Sequence, residues 1–447
     1  MTHADTSGTE QAWAALGGDP ALISRISYGG PAGLLPSRLP VMELARSTVA
    51  VCALAAAERA GSAQVCVDDG AVATAFVSER HLLVDGRAPV NFAPLSRFWR
   101  TADGWVRTHA NYPHHKAALL AALGVPAGKV EAELAGRRSV EVEETVYAAG
   151  GLAVALRTPE EWAAHPQSVS VAERPLVVRE LLDDAPPKPR GERLKVLDLT
   201  RVIAGPVATR TLGLLGADVL RIDAPRMPEL PDQHADTGFG KRSATLDLRS
   251  HADRRTFAGL LDAADVLVTG YRPGALDVYE LQRPGLVVAQ LSAWGDHGPW
   301  RERRGFDSLV QVATGIAESE GDDGKPGALP AQALDHGTGY LLAAAVLRAL
   351  TEQDAYGGTR RLRLSLARTA HWLRGLTPDP RTPRASYPSP SSRLRSSRGD
   401  PIRLAETDSP LGRLRYAPSP VAYEGGPADW SRPPGPWGAD SAAWLTA

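Results

Sequence analysis

Cysteine is nearly absent from this chain. Its 447 residues include only Cys52 and Cys66, too few for a disulfide framework or a cysteine-rich metal centre. An excess of one charge is also missing: 50 Lys+Arg face 51 Asp+Glu, a formal net charge of −1. That balance gives no reason to expect a nucleic-acid surface. Long apolar runs are lacking as well. The front's longest uncharged stretch, residues 47–57, falls far short of the ~20 residues that span a bilayer. The opening MTHADTSGTEQAW has neither a basic start nor an apolar run, so no secretory leader is expected. These absences predict a cytoplasmic protein with no membrane or nucleic-acid partner. What is present fits folded domains, with 43% hydrophobic and 23% charged residues. The length suggests two or three of them.

Residues 1–35 are small, polar and punctuated by Gly and Pro, which predicts a flexible arm. Helix formers crowd 41–60 up to Gly61 and predict a buried helix. AQVCVDDGAVATAFV and HLLVDGRAPV are expected as short strands joined by turns at Asp68-Asp69-Gly70 and Asp85-Gly86. Residues 98–124 predict two strands around an Asp103-Gly104 turn, then a helix closed by Gly124. The APPKPR stretch at 185–190 predicts an extended, Pro-rich hinge.

Beyond the hinge the pattern changes. Strands are expected at 194–200, 217–223, 265–271 and 285–294, with helices at 207–216 and 252–264. This alternation predicts a parallel sheet of βαβ units. Residues 337–351 predict a strongly buried helix. The fold class expected is α/β: a Rossmann-like parallel sheet with βαβ units, plus a smaller α+β domain. The boundaries expected are an arm at 1–35, the α+β domain at 36–184, the hinge at 185–193 and the α/β domain at 194–375. A Pro/Ser/Arg-rich linker follows at 376–401, then a closing segment at 402–447.

The clearest chemical candidate is Asp335, in ALDHGTGY at the start of the 337–351 helix. An aspartate there can simply accept the unpartnered first-turn N–H groups. The same N–H groups and the positive end of the helix dipole would keep a carboxylate ionised and stabilise an oxyanion. Gly337 and Gly339 would let a substrate approach the backbone. Spacing alone leaves both readings open. Gly213, Gly216 and Ala217 lack the G-x-G-x-x-G pattern, and Gly216 reads as a helix C-cap. His109, His114 and His115 are expected on a surface turn with no ligand-spaced cysteine or carboxylate, so no metal is expected. Lys241, Arg242 and Arg249 surround SATLDL and read either as solvated edge charges or as phosphate ligands.

A series of landmarks runs through 194–375. Val196-Leu197-Asp198-Leu199-Thr200-Arg201 leads to Ala204-Gly205-Pro206, then to Leu215-Gly216-Ala217-Asp218-Val219. Gly240-Lys241-Arg242-Ser243, Ala264-Asp265-Val266-Leu267-Val268, Arg272-Pro273-Gly274, Gly298-Pro299, Gly305-Phe306-Asp307 and the Asp335 segment follow. In this order they resemble the family III CoA-transferases, which include formyl-CoA and carnitine CoA-transferases and the α-methylacyl-CoA racemases. The resemblance implies a CoA-transferase working through an aspartyl-CoA thioester on Asp335, with Asp307 as a supporting acid. It implies that Arg201, Ala204, Gly205 and Pro206 lie beside the thioester, and that Lys241, Arg249 and Arg272 meet the nucleotide. Coenzyme A and acyl-CoA are then substrates, with no tightly bound cofactor. The partners implied are an acyl-CoA, a carboxylic acid and a second copy of the chain, in an interlocked homodimer. A racemase or epimerase is the alternative, although Phe306 stands where family racemases carry a histidine; a non-catalytic CoA-binding protein is another. The small-domain-like text precedes the hinge, against the family order. The glycine-rich loop of the family has no counterpart in 376–401.

Overall fold

The computed structural model describes residues 7–377 and 403–446. Its centre is a seven-stranded sheet. Six strands are parallel, in the spatial order Lys241–Thr245, Asp218–Asp223, Lys195–Leu199, Val266–Thr269, Val287–Ser292 and Arg360–Ser365. Val178–Leu181 adds an antiparallel seventh beside the last. The fold is therefore α/β, as the alternation predicted. Successive strand residues point to opposite faces, and both faces are covered. Val196, Val266, Val268, Val287 and Ala289 join the larger core. Leu197, Leu199, Leu220, Leu267 and Val288 pack on the His251–Ala263 helix side, with Phe257, Leu260 and Leu261.

The larger core is organised by the 24-residue helix Ala333–Tyr356. It packs against Val41–Ala60 and Ala204–Leu214. Because apolar residues surround it, it is buried along most of its length. Glycine lets the helices approach: a Cβ at Gly339 would lie 2.5 Å from the Ala204 carbonyl oxygen.

Outside the sheet, several expectations are corrected. Residues 7–35 are not a loose arm. Helix Ser7–Ala15 buries Ala12 and Trp13, and strand Ile26–Gly29 pairs in parallel with Val65–Asp68. The apolar spacing of Ala12, Trp13 and Leu16 outweighs the surrounding glycines. The Asp68-Asp69-Gly70 turn is instead a helix start: the Asp68 carboxylate accepts the N–H of Ala71, and Asp69–Ala75 is helical. Residues 185–190 are extended but strapped down. Lys188 donates to the Ala264 carbonyl, and Arg190 reaches Asp354 at 2.6 Å. The linker expected at 376–401 lies, apart from Leu376 and Thr377, outside the described residues.

Strands Phe98–Arg100, Trp105–Thr108 and Ala153–Ala155 form an antiparallel sheet with its own core, including Leu119, Val130 and Val146. This unit turns the 109–115 segment toward the end of the central sheet. At the opposite edge the closing segment runs along strand Lys241–Thr245. There the Asp440 N–H donates to the Ser243 carbonyl, and the Ser243 N–H donates to the Asp440 carboxylate. The edge is thereby covered. Among the described residues no helix is long and apolar enough to cross a membrane.

Candidate functional site

A cavity of about 390 Å³ opens at the C-terminal ends of three neighbouring strands, bounded by Leu199-Thr200, Gly270 and Leu291-Ser292. Ligands of open parallel sheets settle at such strand ends. Asp335 lines this cavity, with Arg201, Arg272, Arg304, Tyr271 and Phe306. Asp335 is the third residue of the Ala333–Tyr356 helix and is 6% exposed. The first-turn N–H groups do not serve it. The Asp307 carboxylate accepts the N–H of Leu334 at 2.8 Å and of Asp335 at 3.0 Å, and the Gln311 amide donates to it as well. Asp307 is thus the cap of the helix that carries Asp335.

The electrostatics reverse the sequence expectation. Burial, followed by the charges of Asp307 and Glu79, raises the Asp335 pKa well above the carboxylate range. The helix dipole does not keep it ionised, because the N–H groups are already spent on Asp307. Burial also raises Asp307, to about 6, against the pull of its three donors. Next along the helix, His336 Nε2 donates to the Glu79 carboxylate at 3.2 Å. Burial opposes ionisation of Glu79, but the bond and charge of His336, with Arg80, hold its pKa below the ordinary value.

The 109–115 segment forms another wall. His109 and His115 are buried rather than exposed on a surface turn. The His109 ring stacks on Phe306, with centroids 3.8 Å apart and planes 7° apart. Burial pushes His115 down to about 3, so its imidazole is neutral. The loop before helix Ala204–Leu214 is held by Glu229. Its carboxylate accepts the Val202 N–H at 3.0 Å, an Arg221 N–H at 3.0 Å and the Tyr112 hydroxyl, and it pairs with Arg201 at 3.6 Å. Burial disfavours the Glu229 charge, but Arg221 and Arg201 hold the group at about 2. Val202 is thereby fixed at φ 71°, a conformation that β-branched residues rarely adopt.

Of the residues predicted for the site, Asp335, Arg201, Ala204 and Arg272 line one cavity, and Asp307 sits directly behind. Gly205 and Pro206 lie in the first helical turn and do not line that cavity; a Cβ at Gly205 would fall 2.4 Å from Thr200. Lys241 is neither an edge charge nor available to a phosphate. Its ammonium is buried on Asp198 and the Pro206 carbonyl, both at 3.0 Å, and burial pushes it down to about 8 against the attraction of Asp198. Arg242 is likewise engaged, with Asp218 at 2.8 Å. Arg249 holds Asp247 at an exposed turn outside the cavity wall. Glu79, Tyr112, Glu229 and Arg304 were not anticipated. Only Arg304 leaves a local trace, in the basic run before Gly305-Phe306-Asp307. Among the described residues neither Arg272 nor Arg304 has a carboxylate partner, and burial and Arg272 together lower the Arg304 pKa. Two such guanidinium groups suit a polyanionic ligand. No cluster of three His, Cys, Asp or Glu side chains suited to a metal occurs among the described residues.

The model of CoA-transferase family III matches residues 192–391. That segment, a little under half of the chain, is similar to the family. The acetyl-coenzyme A transferase nodX of Hypoxylon pulicicidum is 32% identical over 226 residues, covering 47% of this chain and 36% of that protein. The probable fatty acyl-CoA transferase Rv3272 of Mycobacterium tuberculosis is 33% identical over 193 residues, covering 38% and 49%. The formyl-CoA:oxalate CoA-transferase of Streptomyces coelicolor is 32% identical over 195 residues, covering 39% and 47%. The crystal structure of Rv3272 matches at 31% identity and a TM-score of 0.39, covering 42% of this chain and 58% of that one. The chain spans less than half the length of these three curated relatives. The matched segment holds Asp335, Asp307, Arg272 and Arg304, whereas Glu79, His109, Tyr112 and His115 lie outside it.

Proposed function

We propose that this chain transfers CoA from an acyl-CoA to a free carboxylic acid, with Asp335 as the nucleophile. One observation carries the reading: a buried aspartate, placed at a helix start by a second carboxylate, faces a cavity whose wall carries two arginines without carboxylate partners among the described residues. The family III match over the same residues supports it.

The steps balance as follows. The Asp335 carboxylate attacks the thioester carbonyl, the C–S bond breaks, and CoA leaves as thiolate with a mixed anhydride on Asp335. The thiolate attacks the aspartyl carbonyl and expels the donor acid as carboxylate, leaving an aspartyl-CoA thioester. The acceptor carboxylate attacks that thioester and again releases the thiolate. The thiolate takes the acceptor's acyl carbon, and the aspartate is regenerated. A carboxylate is a weak nucleophile, so burial and positioning must supply the advantage. Asp307 fixes the turn that aims Asp335. Arg272 and Arg304 receive the phosphates. A raised pKa makes the ionised form scarce but more reactive once formed.

A second reading, racemisation at the α-carbon, is favoured by one feature: the neutral imidazole of His115 lines the same cavity as Asp335. One assay separates the two. The protein is incubated with an acyl-CoA and a labelled free acid in deuterated water. Label appearing in CoA ester supports transfer, and α-deuterium without label exchange supports racemisation. Hydroxylamine present during turnover should mark Asp335 alone. Exchange by Asp335→Ala at the parent rate would refute the assignment.

A further inference from the structure

Residues 7–81 repeat the plan of the unit that carries Asp335. Strand Ile26–Gly29, helix Val41–Ala60, strand Val65–Asp68 and helix Asp69–Ala75 follow in order, with the two strands parallel. Strand Val287–Ser292, helix Ala333–Tyr356, strand Arg360–Ser365 and helix Leu366–Gly375 do the same, with short helices inserted before the long one. The details agree as well. Each long helix ends on a glycine of positive φ, Gly61 at 70° and Gly357 at 74°. Each second strand ends on a side chain that caps the next helix. Asp68 accepts the Ala71 N–H, and Ser365 accepts the Arg368 N–H. Helix Ser7–Ala15 lies against Val41–Ala60 as Ala204–Leu214 lies against Ala333–Tyr356. Ser47 and Gly339 hold the same place in the two long helices, and both mark a close approach. A Cβ at Gly8 would fall 2.6 Å from the Ser47 hydroxyl, and one at Gly339 would fall 2.5 Å from the Ala204 carbonyl.

The two long helices pair in register. A Cβ at Gly337 would touch Leu44 near both starts, while Arg348 meets Glu58 and Asp354 meets Arg59 toward both ends. Their flanks are reciprocal. Phe76, after helix Asp69–Ala75, lies against the rings of His336 and Tyr340. Leu376, after helix Leu366–Gly375, lies 3.2 Å from where a Gly8 Cβ would stand. Equivalent surfaces meeting in this way are how two copies of one unit pack across a two-fold axis.

In this correspondence Glu43 takes the place of Asp335. Each is the third residue of its helix and is buried, at 2% and 6% exposure. Asp335 lines a cavity and is acted on by the charges of Asp307 and Glu79. Glu43 does not line that cavity. Its carboxylate accepts from the Arg46 guanidinium at 3.0 Å and from the Ser47 hydroxyl at 3.0 Å, and Asp69 holds Arg46 from the other side at 2.8 Å. A carboxylate spent on a buried guanidinium is a poor nucleophile. The N-terminal part still serves the site. Glu79 holds His336 beside Asp335, and Tyr112, His114 and His115 line the cavity of Asp335.

We propose that residues 7–81 are a second, disabled copy of the unit that carries Asp335, and that this copy stands in for a partner chain. One chain alone then holds one complete site. The proposal rests on the reading of Asp335 as the nucleophile and adds where its partner comes from.

The test follows the full chain by mass measurement and CoA exchange from about 10 nM to about 10 μM. Expected are the mass of a single chain, one CoA bound per chain in equilibrium dialysis, and an exchange rate per chain that is constant on dilution. A dimer that dissociates while exchange per chain holds also supports the proposal. A dimer that persists throughout, two CoA per chain, or exchange per chain that falls on dilution overturns it. Glu43→Gln should exchange CoA within about twofold of the parent, and thermal melting checks that it folds. A folded Glu43→Gln protein with exchange lost overturns the disabled role. Hydroxylamine mapping of the parent needs no variant, and a mark on Glu43 overturns that role too. If no CoA binds or exchanges, the transfer reading fails, and the mass alone decides whether the chain stands without a partner.

Discussion

The Asp307 carboxylate accepts the backbone N–H of Asp335 at 3.0 Å, so one acid anchors the helical turn that carries the other. The two are coupled twice, through that bond and through their charges. Asp335 works only as a carboxylate, and its pKa is raised by burial, Asp307 and Glu79. The parent's kcat/KM should therefore climb with pH across a range above that of an ordinary carboxylate. Asp307→Asn removes a neighbouring negative charge, so the climb should begin at lower pH. The amide oxygen replaces only part of the cap, and about 1 kcal/mol of stability should go with it. A pH–rate profile and a melting curve check both. A climb displaced to higher pH would contradict the electrostatic role.

Glu79 raises Asp335 by charge alone, without touching its backbone. Glu79→Gln should therefore shift the same limb to lower pH. It also removes the charge from the partner that buried His336 holds at 3.2 Å. A melting curve beside the rate profile separates the two effects. An unmoved limb with a lowered melting temperature would confine Glu79 to holding the histidine.

Arg272 and Arg304 line the nucleophile's cavity without carboxylate partners among the described residues. Replacing either with alanine should raise KM for the acyl-CoA about tenfold, the loss expected for a charge-assisted bond, with a smaller change in kcat. Steady-state kinetics decides it. A fall in kcat at unchanged KM would place these groups at the reacting carbonyl instead.

The parallel sheet was readable because strands covered on both faces appear as short apolar runs between helices. Asp335 was readable because it opens a long apolar helix beside two glycines. Its surroundings were not. The cap comes from Asp307, 28 residues earlier, and no periodicity records such a pairing. Lys241 looks solvated on its strand, because the Asp198 that buries it is 43 residues away. The histidines at 109 and 115 seemed to lie on a surface turn until the α+β unit was placed against the sheet. Helix Ser7–Ala15 was hidden by neighbouring glycines, although Trp13 needs a core to enter.

Glu229 gathers Arg221, Arg201, Tyr112 and the Val202 N–H at one buried point. Its folded pKa of about 2 lies below the unfolded value, so its contribution is complete above about pH 4.5 and is lost as pH falls toward 2. Glu229→Gln leaves two arginines short of a counter-charge and should cost about 3 kcal/mol at neutral pH. Denaturant melts at pH 7, 4 and 2.5 should show the gap between parent and variant closing as the pH drops. A constant gap would mean that Glu229 acts by shape and not by charge.

Gly337 and Gly339 sit two residues apart on the same helix but meet different neighbours. A Cβ at Gly337 would touch the Leu44 side chain at 3.4 Å, an ordinary contact. At Gly339 it would lie 2.5 Å from the Ala204 carbonyl oxygen, which belongs to the backbone and cannot turn aside. Gly337→Ala should leave stability unchanged or raise it by up to about 1 kcal/mol, through helix propensity. Gly339→Ala should cost about 1–3 kcal/mol, as overpacking does. It should also push the Ala204 turn away from Asp335 and slow CoA exchange, because Ala204 lines the nucleophile's cavity. Melting temperatures and exchange rates of the two variants, measured side by side, test whether the helix spacing sets the geometry of the site. Equal behaviour of the pair would show that it does not.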